Sequence, residues 1–292
     1  MVRRSGAEAR PVAAGLHFVA TPIGAARDIT LRALDILASA DLLAAEDTRT
    51  LRHLLEIHGV PLAGRSILPY HDHNGPEMRP RILAALAEGR SVAYASEAGT
   101  PLVADPGYQL GRAAIEAGHR VFAAPGPSAA LAALTVSGLA SDRFLFAGFP
   151  PAGAAARRSW FLDLAGAAAT VILFESPKRI RETLAELADC FGETRQAALC
   201  RELTKRYEEV TRGTLAEIAA GLTADPKGEI VLVLDRARTP QASAEDLEAA
   251  LRQALQTMRV KDAAATVAEA FKLPKRDVYQ AALKLGREPP QD

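Results

Sequence analysis

SEAGTPLVADPG, Ser96 to Gly107, packs two glycines, two prolines and two acids, Glu97 and Asp105, into one short segment. The residues before it, SVAYA (Ser91 to Ala95), form an uncharged run that predicts a buried strand. The residues after it, Tyr108 to Ala117, predict a helix. Glycine lets a backbone turn sharply or approach a ligand closely, and proline fixes the shape of the loop. The segment therefore predicts a strand whose carboxyl end opens into an ordered loop before the chain returns as a helix.

The same unit recurs on both sides. LHFVA (Leu16 to Ala20) predicts a strand, TPIGAARD (Thr21 to Asp28) a loop, and DITLRALDILASA a helix with Asp28 as its N-cap. DLLAAED (Asp41 to Asp47) predicts a strand, and TRTLRHLLEIHG a helix closed by Gly59. SILPYHDHN (Ser66 to Asn74) predicts a third strand running into a polar loop, followed by a helix in RPRILAALAEG. RVFAAPGPS and AALAALTVSG repeat the pattern. Strands alternating with helices predict an α/β fold with a wound, mostly parallel sheet. The second half has a different pattern. RFLFAGF, ATVILFES, QAALCREL, YEEVTRG and GEIVLVLDR predict strands with fewer helices between them, a mixed α/β sheet. The expected organisation is an extension over 1–14, an α/β domain over 15–148, a second over 149–236 and a small helical C-terminal domain over 244–287.

Composition bounds the function. Of 292 residues 49% are hydrophobic and 24% charged, and the formal net charge is zero, which excludes a strongly basic body but not a basic face. The two cysteines, Cys190 and Cys200, form no CxxC pattern, so free thiols are expected and no metal site. No run reaches the roughly 18 apolar residues of a membrane span. The basic start, MVRRSGAEARPVAAG, reads as a disordered extension rather than a signal peptide, and the cytoplasm is the expected location. GxGxxG, GxxxxGK[ST] and GxSxG are all missing, which argues against a dinucleotide site, a P-loop or a hydrolase elbow. Ligands of open α/β sheets bind outside the carboxyl ends of the strands. Four loops stand at such ends: TPIGAARD, HDHNGP, SEAGTPLVADPG and APGPS.

TPIG, AEDTR, HDHN, SEAGTPLVADPG, PGPSA, DRFLFAGFPP, FESPKR, RELTKRYEE and GEIVLVL follow one another in an order that resembles the small-subunit ribosomal-RNA methyltransferases of the tetrapyrrole methylase superfamily. The resemblance covers residues 15 to 235 and extends to a helical tail, VKDAAATVAEAFKLPKRDVYQAALKL. It implies a two-domain methylase that binds S-adenosyl-L-methionine between its domains. It implies a homodimer that 2′-O-methylates a cytidine ribose in the decoding region of 16S rRNA in the small ribosomal subunit. By the same resemblance Pro22 and Gly24 shape the first cofactor loop. Ala98, Gly99 and Thr100 hold the methionine portion through the backbone, with Glu97 where the family usually has Asp. Ser128, Ala129 and Phe174 lie near the cofactor, and Gly228 belongs to the strand start on the adenine side.

A ribose hydroxyl is a poor nucleophile at neutral pH, so a base is expected unless positioning suffices. HDHN and RELTK supply the candidates: His71, Asp72 or His73, or Lys205 beside Glu202 if burial or Arg201 lowers its pKa. Phosphate contacts are expected from Lys178, Arg179, Arg181, Arg201 and Arg206, with Arg157 and Arg158 in ARRSW. Glu46, Asp47 and Arg49 either bind RNA or fix their loop by an internal ion pair. Lys261, Lys272, Lys275, Arg276 and Lys284 of the tail are further candidates. Two other readings stay open: a non-catalytic ribosome- or RNA-binding factor, and a methylase of a small tetrapyrrole-like substrate.

Overall fold

The computed structural model describes residues 11–71, 73–237, 244–271 and 273–285. The chain divides after Arg236 into two compact units. The first holds two five-stranded sheets. Sheet one is built from β1 (Gly15–Val19), β2 (Leu42–Ala45), β3 (Ile67–Pro69), β4 (Ser91–Ala95) and β5 (Val121–Ala124). Its order is β3-β2-β4-β1-β5, and every neighbouring pair is parallel. Every residue of β1 and β4 is buried, as expected of parallel strands covered on both faces. The crossovers are α1 (Leu31–Ser39), α2 (Thr48–Ile57), α3 (Gly75–Ala87) and α4 (Tyr108–Glu116).

Asp28 does not cap α1. It sits in a short 3₁₀ turn, and Thr30 takes the cap position, its hydroxyl accepting from the Ala33 N–H at 3.1 Å. Asp47 caps α2, accepting from the amides of Arg49 (2.7 Å) and Thr50 (3.2 Å).

Sheet two contains β6 (Phe144–Gly148), β7 (Thr170–Glu175), β8 (Gln196–Arg201), β9 (Glu209–Thr214) and β10 (Ile230–Leu234), in the order β6-β7-β10-β8-β9. β6 pairs parallel to β7 and all other pairs are antiparallel, so the sheet is mixed. It begins at Phe144, ahead of Gly148. As expected, fewer helices accompany these strands than those of sheet one: α6 (Ala154–Ala165), α7 (Ile180–Phe191) and α8 (Leu215–Gly221). α7 buries Ile180, Thr183, Leu184, Leu187 and Phe191, the three-and-four spacing of one helix face.

The two faces of sheet two have different partners. Val171 and Leu173 point with Leu232 into a core completed by Phe161, Leu184 and Leu187. Their alternates Ile172, Val231 and Val233 pack on Ala130, Ala133 and Leu134 of α5 (Ala129–Ser137), the helix that leaves β5. α5 thus joins the sheets and fixes the cleft between their strand ends. Cys200 lies in this second core and Cys190 is half-buried; both are free thiols, and burial pushes the Cys200 thiol up to about 11.

Arg157 is not a phosphate contact. Its guanidinium is buried between α6 and α7 and reaches Glu182 at 2.6 Å and Glu186 at 2.6 and 2.8 Å. The second unit packs α9 (Ala244–Leu255), α10 (Val260–Ala270) and α11 (Lys275–Leu285) around Leu251, Val267 and Val278. Among the described residues no helix is long and apolar enough to cross a membrane, and no cluster of His, Cys, Asp and Glu would hold a metal ion.

Candidate cofactor cleft

Sheet order decides which loops meet. β4, β1 and β5 are neighbours, so the loops after them converge at one place. Thr21 and Gly99 exchange backbone hydrogen bonds, N–H to O at 2.9 and 3.0 Å, and the Thr100 hydroxyl donates to the Pro127 carbonyl at 2.8 Å. Gly99 has φ +82°, and an added Cβ would press on Ile23. Leu102 (φ +73°) and Ala104 (φ +61°) lie in the same loop, in a region that non-glycine residues adopt at a cost of about 1–2 kcal/mol each. Strain of this kind gathers where a loop has to hold a functional shape.

These loops and sheet two enclose a cleft of about 320 Å³. Ile23, Ala98, Gly99 and Thr100 line it from sheet one, joined by Ser128 and Ala129 at the start of α5. Phe174, Gly228, Ile230 and Val231 line it from sheet two. Phe174 is braced edge-on by Phe146 (4.9 Å) and by Phe149 (5.5 Å), which also lines the cleft and is 55% exposed. Of the expected cofactor residues, Ala98, Gly99, Thr100, Ser128, Ala129, Phe174 and Gly228 come together here. Pro22, Gly24 and Glu97 are not in the lining. Gly24 instead backs the loop: an added Cβ would strike Lys205 and Thr204, and the Ala25 N–H donates to the Thr204 hydroxyl at 3.1 Å. Glu97 is exposed, and its N–H donates to Glu46 at 3.2 Å.

Three carboxyls that the sequence motifs did not single out as site residues also line the cleft. Glu175 is tied back, accepting from Arg179 at 2.9 Å and from the Thr183 hydroxyl at 2.6 Å. Glu229 pairs with Lys205 at 3.0 Å. Asp105 is different: its Oδ2 is buried without a hydrogen-bond partner. Burial and Glu46 push this carboxyl up to about 7; the Ser96 hydroxyl offsets part of the rise and Glu97 adds to it. Asp105 stands in the SEAGTPLVADPG loop, but the neighbour that most distinguishes it, Glu46, comes from another strand.

The base candidates fall elsewhere. β2 and β4 separate β3 from β1, so the HDHN loop stands away from the loops that converge after β4, β1 and β5. His71 and His73 do not line the cleft, and Asn74 closes its own turn by accepting from the His71 N–H at 2.8 Å. Asp72 lies outside the described residues. Lys205 is corrected as a neutral base. Burial lowers its pKa, but hydrogen bonds and attraction from Glu202 (2.9 Å) and Glu229 outweigh that and raise it, so it remains an ammonium. Glu202 is held below the ordinary carboxylate range by the Glu229 N–H and Lys205.

Several cations expected on RNA are engaged within the chain. Arg179 bonds Glu175 and the Pro150 carbonyl, and Arg201 bonds Glu209 and the Lys227 carbonyl. Arg49 pairs with Asp47 at 3.0 Å while 91% of its side chain stays exposed. Lys178 and Arg206 are exposed, and the Arg206 guanidinium lies over the Tyr207 ring at 5.5 Å. In the C-terminal unit Lys261, Lys275, Arg276 and Tyr279 line a shallow hollow; Lys272 lies outside the described residues.

Residues 15–219 match the family model described as tetrapyrrole (corrin/porphyrin) methylases, and residues 241–286 match the RsmI C-terminal HTH domain. A relative from Mesorhizobium japonicum named ribosomal RNA small subunit methyltransferase I is 45% identical over 98% of this chain and 97% of its own. One of the same name from Escherichia coli O157:H7 is 40% identical over 92% and 94%. The solved uroporphyrin-III-C-methyltransferase of Thermus thermophilus shares the fold, with a TM-score of 0.53, 21% identity, and coverage of 76% of this chain and 94% of that one. The methyl donor of the family is S-adenosyl-L-methionine. The cleft fits it: an apolar wall of Ile23, Phe174, Ile230 and Val231 suits a flat base. The chain belongs to the tetrapyrrole methylase family and, within it, to the ribosomal RNA small subunit methyltransferase I group.

Proposed function

We propose that the chain methylates the 2′-hydroxyl of a cytidine ribose in the decoding region of 16S rRNA, acting on the small ribosomal subunit as a cytoplasmic homodimer. The observation that carries this reading is near full-length similarity to relatives named for small-subunit ribosomal RNA, with the C-terminal helical unit included. The cytidine, the ribose position and the dimer follow from the motif resemblance.

Bound S-adenosyl-L-methionine would supply an electrophilic methyl group on a sulfonium. The work of the chain is then placement and exclusion of water. The Thr21–Gly99 and Thr100–Pro127 hydrogen bonds hold the donor loop in one shape. Phe149 and Phe174 close the apolar side of the cleft.

The test is transfer of labelled methyl groups to small ribosomal subunits from a strain lacking its own enzyme. Free 16S rRNA and a tetrapyrrole precursor run in parallel, with mass mapping of the ribose. Label on one cytidine ribose supports the proposal. Label on the tetrapyrrole alone, or on a base, overturns it. Phosphate contact is expected from the outward cations. Arg206→Ala and Lys178→Ala should each weaken RNA binding at low salt and flatten the log–log salt slope by about 0.7–0.9. Filter binding between low and moderate salt reads this, and an unchanged slope would remove that residue from the interface.

A further inference from the structure

The cleft holds three carboxyls in three states. Glu175 is buried against Arg179, Thr183 and its own following amide, and Glu229 is paired with Lys205. Both are committed to partners within the chain. Asp105 lines the same cleft, carries a buried oxygen without a partner, and has only acidic side chains, Glu46 and Glu97, among the charged groups acting on it. It is held in place from behind, since the carbonyl of the next residue, Pro106, accepts from the Tyr94 hydroxyl at 3.2 Å. Gly107 turns the loop into α4 at φ +119°, where an added Cβ would press on Leu102, Tyr94 and Phe18. The loop therefore places at the cleft wall a carboxyl that no cation neutralises, with the Ser96 hydroxyl beside it and its Oδ2 buried without a partner.

We propose that Asp105 is the proton acceptor for the ribose hydroxyl. This rests on the ribose-methylation reading above. In the step, the 2′-hydroxyl proton moves to an Asp105 carboxylate oxygen as the ribose oxygen forms its bond to the donated methyl carbon. The bond from that carbon to the sulfonium sulfur breaks, and the sulfur keeps the electron pair. The proton then leaves Asp105 to water.

The surroundings suit the role. A general base works best when its pKa lies near the operating pH, and burial with acidic neighbours brings Asp105 to about 7. The groups that face it are Glu46 at the end of β2, and Ser96 and Glu97 in its own loop; Glu175 and Glu229 share the cleft. A cationic donor in the cleft would oppose the acidic neighbours, so kcat should show a lower midpoint than kcat/KM.

The experiment compares the full chain with Asp105→Asn. The first readout needs no turnover: carbon-13 NMR of aspartate-labelled protein should show a carboxyl titrating near 7 that disappears in the variant. The second is donor affinity by calorimetry, expected to change by no more than a few-fold. The third is single-turnover methylation of small subunits across pH. Here the wild-type rate should climb with unit slope below the midpoint, and the variant should be slower by about 10²–10⁴-fold and insensitive to pH. The variant removes a disfavoured charge, so it should melt at or above the wild type at neutral pH. An active Asp105→Asn with the wild-type pH profile would overturn the proposal alone. Loss of donor affinity at unchanged kcat would overturn it in favour of a carboxyl that anchors the donor. Wild-type protein that methylates no ribose would overturn the ribose reading and the proposal together, while the NMR titration would still report the state of Asp105.

Discussion

Removing both carboxylates that meet Arg157, as Glu182→Ala with Glu186→Ala, should destabilise the fold by about 3–5 kcal/mol, because a buried guanidinium would be left without a counter-charge. Arg157 is only 2% exposed and cannot shed its proton to escape the penalty. The mirror experiment, Arg157→Met, should cost well under half as much. It strands carboxylates that can turn to water, since the Glu182 side chain is 60% exposed and that of Glu186 21%. Urea unfolding reads the difference as a shift in midpoint at constant slope. On heating, the double variant should melt on the order of 10 °C lower. The pair also sets a pH response. Hydrogen bonding to Arg157 holds the Glu186 carboxyl below its ordinary value of 4.5 despite burial. Its contribution is thus present above that value and is lost as pH falls through the lowered one. Arg157→Met should lose this acid-sensitive part. Equal costs for the two variants would mean that the cation is better solvated than its burial implies.

The same residue marks the limit of what sequence reading supplies. Within ARRSW, Arg157 and Arg158 are indistinguishable, and only the packing of α6 on α7 buries one and leaves the other exposed. Sheet one was legible because its strands are continuous apolar runs punctuated by glycine and proline. The glycine- and proline-rich loops after β4 and β5 were legible for the same reason, and Gly99, Thr100 and Ser128 do line one cleft; Phe174, which joins them, was expected only from the motif resemblance. α6 was not legible, since AAARRSWFLDLA spreads apolar and charged residues around the helix. HDHN shows a different failure. Its motif is as distinctive as SEAGTP, but strand order, which no local pattern encodes, puts β2 and β4 between β3 and β1 and takes its histidines away from the cleft. Asp105 is the converse: it stands within SEAGTPLVADPG, and what sets it apart is burial first and then Glu46, which follows the neighbouring strand β2.

Gly228→Ala should weaken binding of S-adenosyl-L-methionine at least tenfold, about 1.4 kcal/mol. Gly228 has φ +93°, and an added Cβ would overlap the Glu202 carboxyl. Glu202 has no free direction to yield: it accepts from Lys205 at 2.9 Å and from the Glu229 N–H at 2.9 Å, while its own N–H donates to the Glu229 carbonyl at 3.0 Å. Displacing it would loosen Gly228 to Val231, the segment that lines the cleft. Backbone strain alone would also cost stability, so Gly138→Ala is the control. Gly138 closes α5 at φ +76° and an added Cβ there meets nothing within 4 Å. Both variants should lose about 1 kcal/mol of folding stability, but only the first should lose donor affinity by calorimetry. Adding Glu202→Ala to Gly228→Ala removes the obstructing carboxyl and should restore part of the affinity, a coupling that independent sites would not show. Wild-type affinity in Gly228→Ala would remove the Glu202–Glu229 link from donor binding. Equal losses in both glycine variants would assign the effect to strain rather than to the cleft.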